Sequence, residues 1–117
     1  EKIKNSVLLT LNENKGIDIR IISIKEISSI ADYIIIATGS SNRHLTSMAE
    51  HIEKNLKKIG QKTFSKEGEN QSEWVLLDLG DIIVHLFKKE IREFYNLEKM
   101  WSKNFKDYED NDSIVYV

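Results

Sequence analysis

The feature that most constrains the fold is an unbroken apolar run, Tyr33-Ile34-Ile35-Ile36-Ala37, inside a predicted strand at residues 32–39. A strand with one solvated face alternates apolar and polar residues, so a continuous apolar run indicates a strand covered on both faces. An amphipathic helix follows, with an apolar stripe at helical spacing: Leu45, Met48, Ala49, Ile52, Leu56 and Ile59. Ser40 or Ser41 is the expected N-cap of this helix. Gly60 is expected to adopt the left-handed backbone conformation that ends it.

Together with this strand and helix, the other segments predict the order helix, two strands, helix, three strands and a final helix. We predict helices at residues 3–14 and 88–101, the second broken near Asn96, and strands at residues 17–24, 62–66, 74–79 and 82–87. This order predicts an α/β domain over residues 1–103, with a mixed β-sheet of about five strands packed with helices. Residues 104–117 are acidic and polar, and we expect a mobile tail, although residues 114–117 also suit an edge strand.

Composition limits the classes of function. The chain has 117 residues, no cysteine and a net charge of −2. That length suits a single domain, and the lack of cysteine excludes disulfides and thiolate metal sites. A protein that holds RNA mainly through phosphates usually has an excess of basic residues, which this chain lacks. The lack of cysteine also makes a reducing cytoplasm the expected location. Neither a membrane span nor a secretory signal is apparent.

Leu79-Gly80-Asp81-Ile82 predicts a two-residue hairpin turn, because glycine at the first central position suits type II′ geometry. Counting outward places Trp74 opposite Phe87, and opposed residues share a face of the sheet. One face is aliphatic and predicted to be core: Val75, Leu77, Leu79, Ile82, Val84 and Leu86. The other face mixes aromatic and polar residues: Trp74, Leu76, Asp78, Ile83, His85 and Phe87. This second face is either another core layer under a helix or a partly exposed recognition surface.

The turn Thr38-Gly39-Ser40-Ser41-Asn42-Arg43 leads from a strand into a helix, where backbone N–H groups can hold a phosphate. The alternative is a tight turn with a serine cap. A nucleotidyltransferase would also need carboxylates on a nearby core strand to hold magnesium, and no such pair is predicted. His44 and His51 are about 10 Å apart on a helix, too far to share one zinc, so we expect no metal site.

The end of the last predicted helix is rich in large apolar side chains. Tyr95, Leu97, Met100 and Trp101 occur within seven residues. Packing of this helix on the sheet is one interpretation, and a partner or dimer surface is the other.

Three separated motifs resemble those of the ribosomal silencing factor (RsfS/Iojap) family. The first is Ala31-Asp32-Tyr33-Ile34-Ile35-Ile36-Ala37-Thr38-Gly39-Ser40-Ser41-Asn42-Arg43-His44. The second is Gly68-Glu69 followed by Glu73-Trp74-Val75-Leu76-Leu77-Asp78-Leu79-Gly80-Asp81-Ile82-Ile83-Val84-His85. The third is Arg92-Glu93-Phe94-Tyr95-Asn96-Leu97-Glu98-Lys99-Met100-Trp101. Together they extend the resemblance over nearly all of residues 17–101.

The resemblance implies a nucleotidyltransferase-like fold without the catalytic carboxylates, and a binding factor rather than an enzyme, with no cofactor. It implies docking on the large ribosomal subunit through ribosomal protein L-fourteen, often as a dimer, which blocks joining of the small subunit and lowers translation when nutrients are scarce. No sequence-specific nucleic-acid binding is expected.

The predicted docking residues are Glu73, Trp74, Asp78, Gly80, Asp81 and His85, with Trp74 as anchor and Asp78 and Asp81 as charge partners. Glu73 is expected to add a carboxylate at the same end of the hairpin, and Tyr95, Met100 and Trp101 to form a possible dimer or second contact surface. The alternative function is a nucleotide- or RNA-binding enzyme that uses the turn from Gly39 to Arg43.

Overall fold

The computed structural model describes residues 2–68 and 72–100, and its element order is the one predicted. The helices are α1 (Lys2–Glu13), α2 (Asn42–Lys58), α3 (Lys89–Tyr95) and α4 (Leu97–Met100), and the strands are β1 (Ile17–Ser23), β2 (Tyr33–Gly39), β3 (Ser65–Glu67), β4 (Trp74–Asp78) and β5 (Ile82–Lys88). Asn96, in the left-handed conformation, separates α3 from α4, which confirms the predicted break. No helix among the described residues is long and apolar enough to cross a membrane.

The five strands form one mixed sheet in the order β1-β2-β5-β4-β3. Among the described strands, only β2 and β5 run parallel to each other, with Tyr33 aligned to Ile82 and Gly39 to Lys88. All seven residues of β2 are buried, as its apolar run predicted. The α/β class and the mixed five-stranded sheet are therefore confirmed.

Helices cover the two faces of the sheet unequally. The larger core lies under α1 and α2 and includes Leu11, Ile35, Ile52, Leu77 and Val84. A smaller core on the opposite face is built on buried β1, β2 and β5 side chains, and half-buried Ile91 and Leu97 of α3 and α4 pack against it. The smaller core leaves part of the β4–β5 hairpin accessible.

Helix α2 begins and ends as its sequence predicted. The Ser41 side chain accepts a hydrogen bond from the backbone N–H of His44, which caps the helix. At the other end Gly60 has a φ of +80°, and the N–H of Gln61 reaches back to the carbonyl of Leu56 at 2.9 Å. This pair of features is a Schellman termination, which satisfies carbonyls left free by the last turn.

The third strand is shorter and later than predicted. We expected residues 62–66, and the structure has Ser65–Glu67, paired with Asp78, Leu77 and Leu76 of β4. Strand β4 ends at Asp78, so residues 62 and 63 have no strand beside them to pair with. The tail at residues 104–117, its possible edge strand and the domain boundary at residue 103 lie outside the described residues.

Candidate partner-binding face

The hairpin register is the predicted one. Trp74 pairs with Phe87 and Asp78 with Ile83, and the N–H of Leu79 donates to the carbonyl of Ile82 at 2.9 Å. Gly80 has a φ of +89°, as the first central residue of a type II′ turn requires. All the aliphatic-face residues are buried: Val75, Leu77, Leu79, Ile82, Val84 and Leu86.

The second face of the hairpin combines both predicted interpretations. Phe87 and His85 are buried, whereas Trp74, Leu76, Asp78 and Ile83 are half-buried. The part nearest α3 is therefore core, and the β4 side remains accessible.

Trp74 is held in place by its neighbours. Its ring centroid lies 4.7 Å from that of Phe87 and 4.8 Å from that of Tyr95. Its indole Nε1–H donates to Nδ1 of His85 at 3.1 Å. Such ring pairs contribute about 0.5–1.5 kcal/mol each beyond the area they bury. The indole is thus partly exposed and also fixed in orientation.

His85 is neutral in this arrangement. Because Nδ1 accepts a hydrogen bond from the indole N–H, the imidazole hydrogen resides on Nε2. Burial lowers the pKa of His85 from 6.5 to about 4, since the charged form would lose its hydration. Protonation at Nδ1 would also break the hydrogen bond from Trp74. The neutral histidine therefore keeps the tryptophan oriented near neutral pH.

The aromatic surface continues from the hairpin onto α3. Tyr95 is 51% exposed while it contacts Trp74, and Phe94 is 79% exposed and packs edge-on against Tyr95 at 5.0 Å. The structure thus brings Tyr95 next to the predicted hairpin site. The Met100 side chain and Trp101 lie outside the described part of the chain.

The tip of the hairpin carries two of the predicted acidic docking residues, Asp78 and Asp81. One carboxylate oxygen of Asp78 accepts a hydrogen bond from the N–H of Gly80 at 2.9 Å, which braces the turn. The Asp81 side chain is exposed. Its backbone carbonyl accepts hydrogen bonds from the N–H groups of Asp32 and Tyr33 at 2.7 and 3.1 Å, so the main chain fixes the tip to the start of β2.

Glu73 does not lie with the other two carboxylates, so its predicted position was wrong. It precedes the first residue of β4, whereas Asp78 and Asp81 are at the far end of that strand. Five strand residues at about 3.3 Å each place roughly 17 Å of backbone between them. Glu73 is instead beside Lys88, with an Oε1–Nζ distance of 3.7 Å.

The turn after β2 uses its polar groups internally. The N–H of Ser40 donates to Nδ1 of His44 at 2.9 Å, and Nε2 of His44 donates to the carbonyl of Asn14 at 2.8 Å. A Cβ on Gly39 would lie 2.5 Å from the Leu45 side chain, so glycine is needed for close packing against α2. These contacts favour the tight-turn interpretation over a phosphate site. Among the described residues, no three His, Asp or Glu side chains are grouped to hold a metal ion.

The sequence did not predict the role of Arg92, which is 6% exposed. Its guanidinium binds both carboxylate oxygens of Glu98, at 3.1 and 3.0 Å. Nη1 donates to Thr38 Oγ1 and to the carbonyl of Asp18, each at 2.8 Å. Arg92 therefore joins α3 and α4 to β1 and β2, beneath a cleft of about 440 Å³. The only hint of this role in the sequence was the carboxylate of Glu98, six residues after Arg92.

Comparisons with known proteins agree on one family. A family model described as "Ribosomal silencing factor during starvation" matches residues 1–115. Ribosomal silencing factor RsfS of Haemophilus influenzae is 43% identical over 93 residues, which cover 80% of this chain and 91% of that protein. The chloroplastic protein Iojap of Zea mays is 33% identical, over 82% of this chain and 42% of its own length.

The fold agrees as well. The crystal structure of a Chromobacterium violaceum protein matches with a TM-score of 0.83 at 33% identity, covering 86% of this chain and 84% of that one. The sequence match over nearly the whole chain and the shared fold lead to one conclusion: the chain belongs to the RsfS/Iojap family of ribosomal silencing factors.

Proposed function

We propose that this protein binds the large ribosomal subunit through ribosomal protein L-fourteen and sterically blocks joining of the small subunit. It would act in the cytoplasm and lower translation when nutrients are scarce. Membership of the ribosomal silencing factor family supports a ribosomal partner. The subunit, the contacted protein and the blocking step are our proposal.

The observation that carries the proposal is the fixed, half-exposed indole of Trp74. Binding energy in protein interfaces is concentrated in a few anchors, and tryptophan is among the most frequent. A side chain already held by His85, Phe87 and Tyr95 loses little conformational freedom on binding. We therefore assign Trp74 as the anchor and His85 as the residue that orients it.

Charge at the hairpin tip supports a basic partner. Asp78 is half-buried and Asp81 is exposed, and the main chain fixes both positions. Complementary charge mainly increases association rate and specificity. We propose that Asp78 and Asp81 face basic groups of L-fourteen, that Gly80 shapes the turn between them, and that Glu73 contributes separately at the opposite end of β4.

We further propose that the protein is a binding factor and not an enzyme. Steric occlusion needs a rigid body and no chemical step. The Gly39-Ser40 turn, where a nucleotidyltransferase-like chemistry would be sought, has its Ser40 N–H bound by His44. Incubation with nucleoside triphosphates and magnesium should leave them intact. Turnover that disappears in a folded Ser40→Ala variant would contradict this assignment.

A second copy of the chain is the partner we propose for the exposed edge of α3, where Phe94 and Tyr95 lie. Met100 and Trp101 are assigned to the same surface from sequence. Sedimentation equilibrium of the wild type and of Tyr95→Ala tests this assignment. Identical association behaviour in both proteins would remove Tyr95 from the dimer surface.

The decisive experiment for the main proposal is sedimentation with purified ribosomal subunits. We expect the protein to migrate with isolated large subunits and not with small subunits. Added before mixing, it should reduce the fraction of joined ribosomes. Migration with the small subunit, or unchanged joining at saturating protein, would overturn the proposal.

A further inference from the structure

The end of α2 and the loop after it carry a local concentration of positive charge. Residues 54–66 contain five lysines and no Asp or Glu, in a chain whose net charge is −2. Lys54, Lys57, Lys58 and Lys62 are all exposed, and we call these four the basic patch. Its charge is opposite to that of the hairpin tip.

The four lysines are exposed and form no ion pair with any residue that the structure describes. Lys54, Lys57 and Lys58 have the helical spacing of one outward face, while Ile52 and Leu56 of the same helix are buried. Lys57 and Lys62 line the same shallow depression of about 470 Å³. No carboxylate of the described residues lies within 4 Å of any of the four ammonium groups. The nearby Glu53 is bound by Lys66, at 2.6 Å.

Phe64 adds an exposed aromatic ring beside this charge. It is 69% exposed and follows Lys62 by two residues. Its backbone N–H donates to the carbonyl of Asp78 at 2.8 Å, and its ring lies against Gly80. The hairpin therefore holds the backbone of this loop, and the exposed Phe64 ring lies against the Gly80 turn, two residues from Lys62.

We propose that the basic patch and Phe64 form an RNA-binding surface, which holds phosphates through the lysines and one base through the ring. Unpaired lysines bind phosphates as point charges, and an exposed aromatic ring stacks on any base, so binding is independent of sequence. A nucleotide carries a phosphate and a base together, so one RNA segment can engage both the lysines and the ring, whereas carboxylates alone would engage only the lysines.

This surface adjoins the hairpin tip, because Phe64 contacts both the Gly80 turn and the end of β4. If the proposed function is correct, the RNA reached here is ribosomal RNA of the large subunit, next to the docked hairpin. RNA binding itself does not depend on that function. The two proposals can therefore fail separately.

The test measures fluorescence anisotropy of a labelled single-stranded RNA oligonucleotide with the intact protein, from about 50 to 200 mM salt. Four phosphate contacts on single-stranded RNA predict a slope of log K against log salt of about −3. Lys57→Glu/Lys62→Glu should weaken binding at least tenfold at the lowest salt and halve the slope. Lys89→Glu/Lys99→Glu, the same charge change on exposed lysines of α3 and α4, should have a much smaller effect.

Phe64→Ala separates stacking from charge. Loss of one stacked base predicts at least about fivefold weaker binding at every salt concentration, with an unchanged slope. Circular dichroism melting checks that each variant is folded. Equal losses in the two double variants, an unaffected Phe64→Ala, or equally effective competition by polyglutamate would overturn the proposal. The last of these results would identify an acidic protein as the partner.

A parallel measurement uses large subunits. Lys57→Glu/Lys62→Glu should reduce co-sedimentation in a salt-dependent manner. If the wild type binds the oligonucleotide and not the subunits, the proposed function fails and the RNA surface stands. If it binds subunits and not RNA, only the further inference fails.

Discussion

The two faces of the β4–β5 hairpin take alternate residues of the same two strands and have opposite character. On the face toward α1 and α2, aliphatic side chains such as Leu77 and Val84 are fully buried. On the other face, Trp74, Leu76 and Asp78 stay half-exposed beside a buried histidine. The first face contributes stability by excluding water. The second retains polar and aromatic groups that stability alone does not require.

This difference shows how one small hairpin can serve the fold and a partner together. Residues adjacent in sequence lie on opposite faces, so stability and recognition are assigned to alternate positions. Changes on the aliphatic face should therefore affect unfolding, and changes on the other face should affect binding.

The largest expected effect is on the aliphatic face. Leu77→Ala should lower the free energy of unfolding by about 3 kcal/mol, because it removes a buried side chain and leaves a cavity. Leu76→Ala, the neighbouring half-exposed leucine, is the matched control and should cost about 1 kcal/mol or less. Urea titration measures both. Equal losses would show that the two faces do not differ as described.

Trp74→Ala should weaken binding to the large subunit by about 2 kcal/mol, roughly thirtyfold. The variant should lose less stability than the about 3–5 kcal/mol lost when a fully buried aromatic residue is replaced by alanine, since the Trp74 ring is half-exposed. Quantitative co-sedimentation and thermal melting measure the two effects. A variant that melts far below the wild type, yet binds normally where it is folded, would place Trp74 in the core alone.

His85 predicts a pH dependence of stability. Its pKa is about 4 in the folded protein and about 6.5 when unfolded, so the unfolded chain takes up the proton first as pH falls. Stability should therefore be full above pH 7 and decrease between about pH 6.5 and 4, with about 2 kcal/mol lost by pH 5. His85→Gln has no such titration. The difference between wild type and variant in urea titrations across pH isolates the effect, and an identical pH dependence would contradict it.

The smallest effect on stability is expected at the hairpin tip. Asp81→Lys leaves the backbone hydrogen bonds of the turn in place and changes an exposed side chain. It should slow association with the large subunit, more at low salt, because exposed charges are screened within about 10 Å at 0.1 M. Stopped-flow rates across a salt series test this. Rates that coincide with those of the wild type would remove Asp81 from the contact.

The pairing of β4 with β5 was predictable, because the position of a two-residue turn fixes which residues of the two strands lie opposite each other. The apolar stripe and the two caps of α2 were also predictable, since they depend on residues that are close together in the sequence. The roles of His44 and Arg92 were not predictable, since their partners Asn14 and Asp18 are 30 and 74 residues away along the chain. The misplacement of Glu73 was avoidable, because the predicted strand at residues 74–79 already put Glu73 and Asp81 at its opposite ends. Assignment of docking residues to L-fourteen rests on family resemblance and stays a prediction.

The parallel pairing of β2 with β5 has a consequence for synthesis of the chain. Tyr33 emerges from the ribosome long before Ile82, its neighbour in the sheet. Until β5 is made, β2, whose residues are all buried in the folded protein, has one unpaired edge, which is an aggregation-prone arrangement. Contacts between distant segments also slow folding, because the intervening loop must close first. A nascent chain of this protein therefore gains its central strand pair only after the hairpin has been translated, and a message truncated before Ile82 would yield an aggregating fragment.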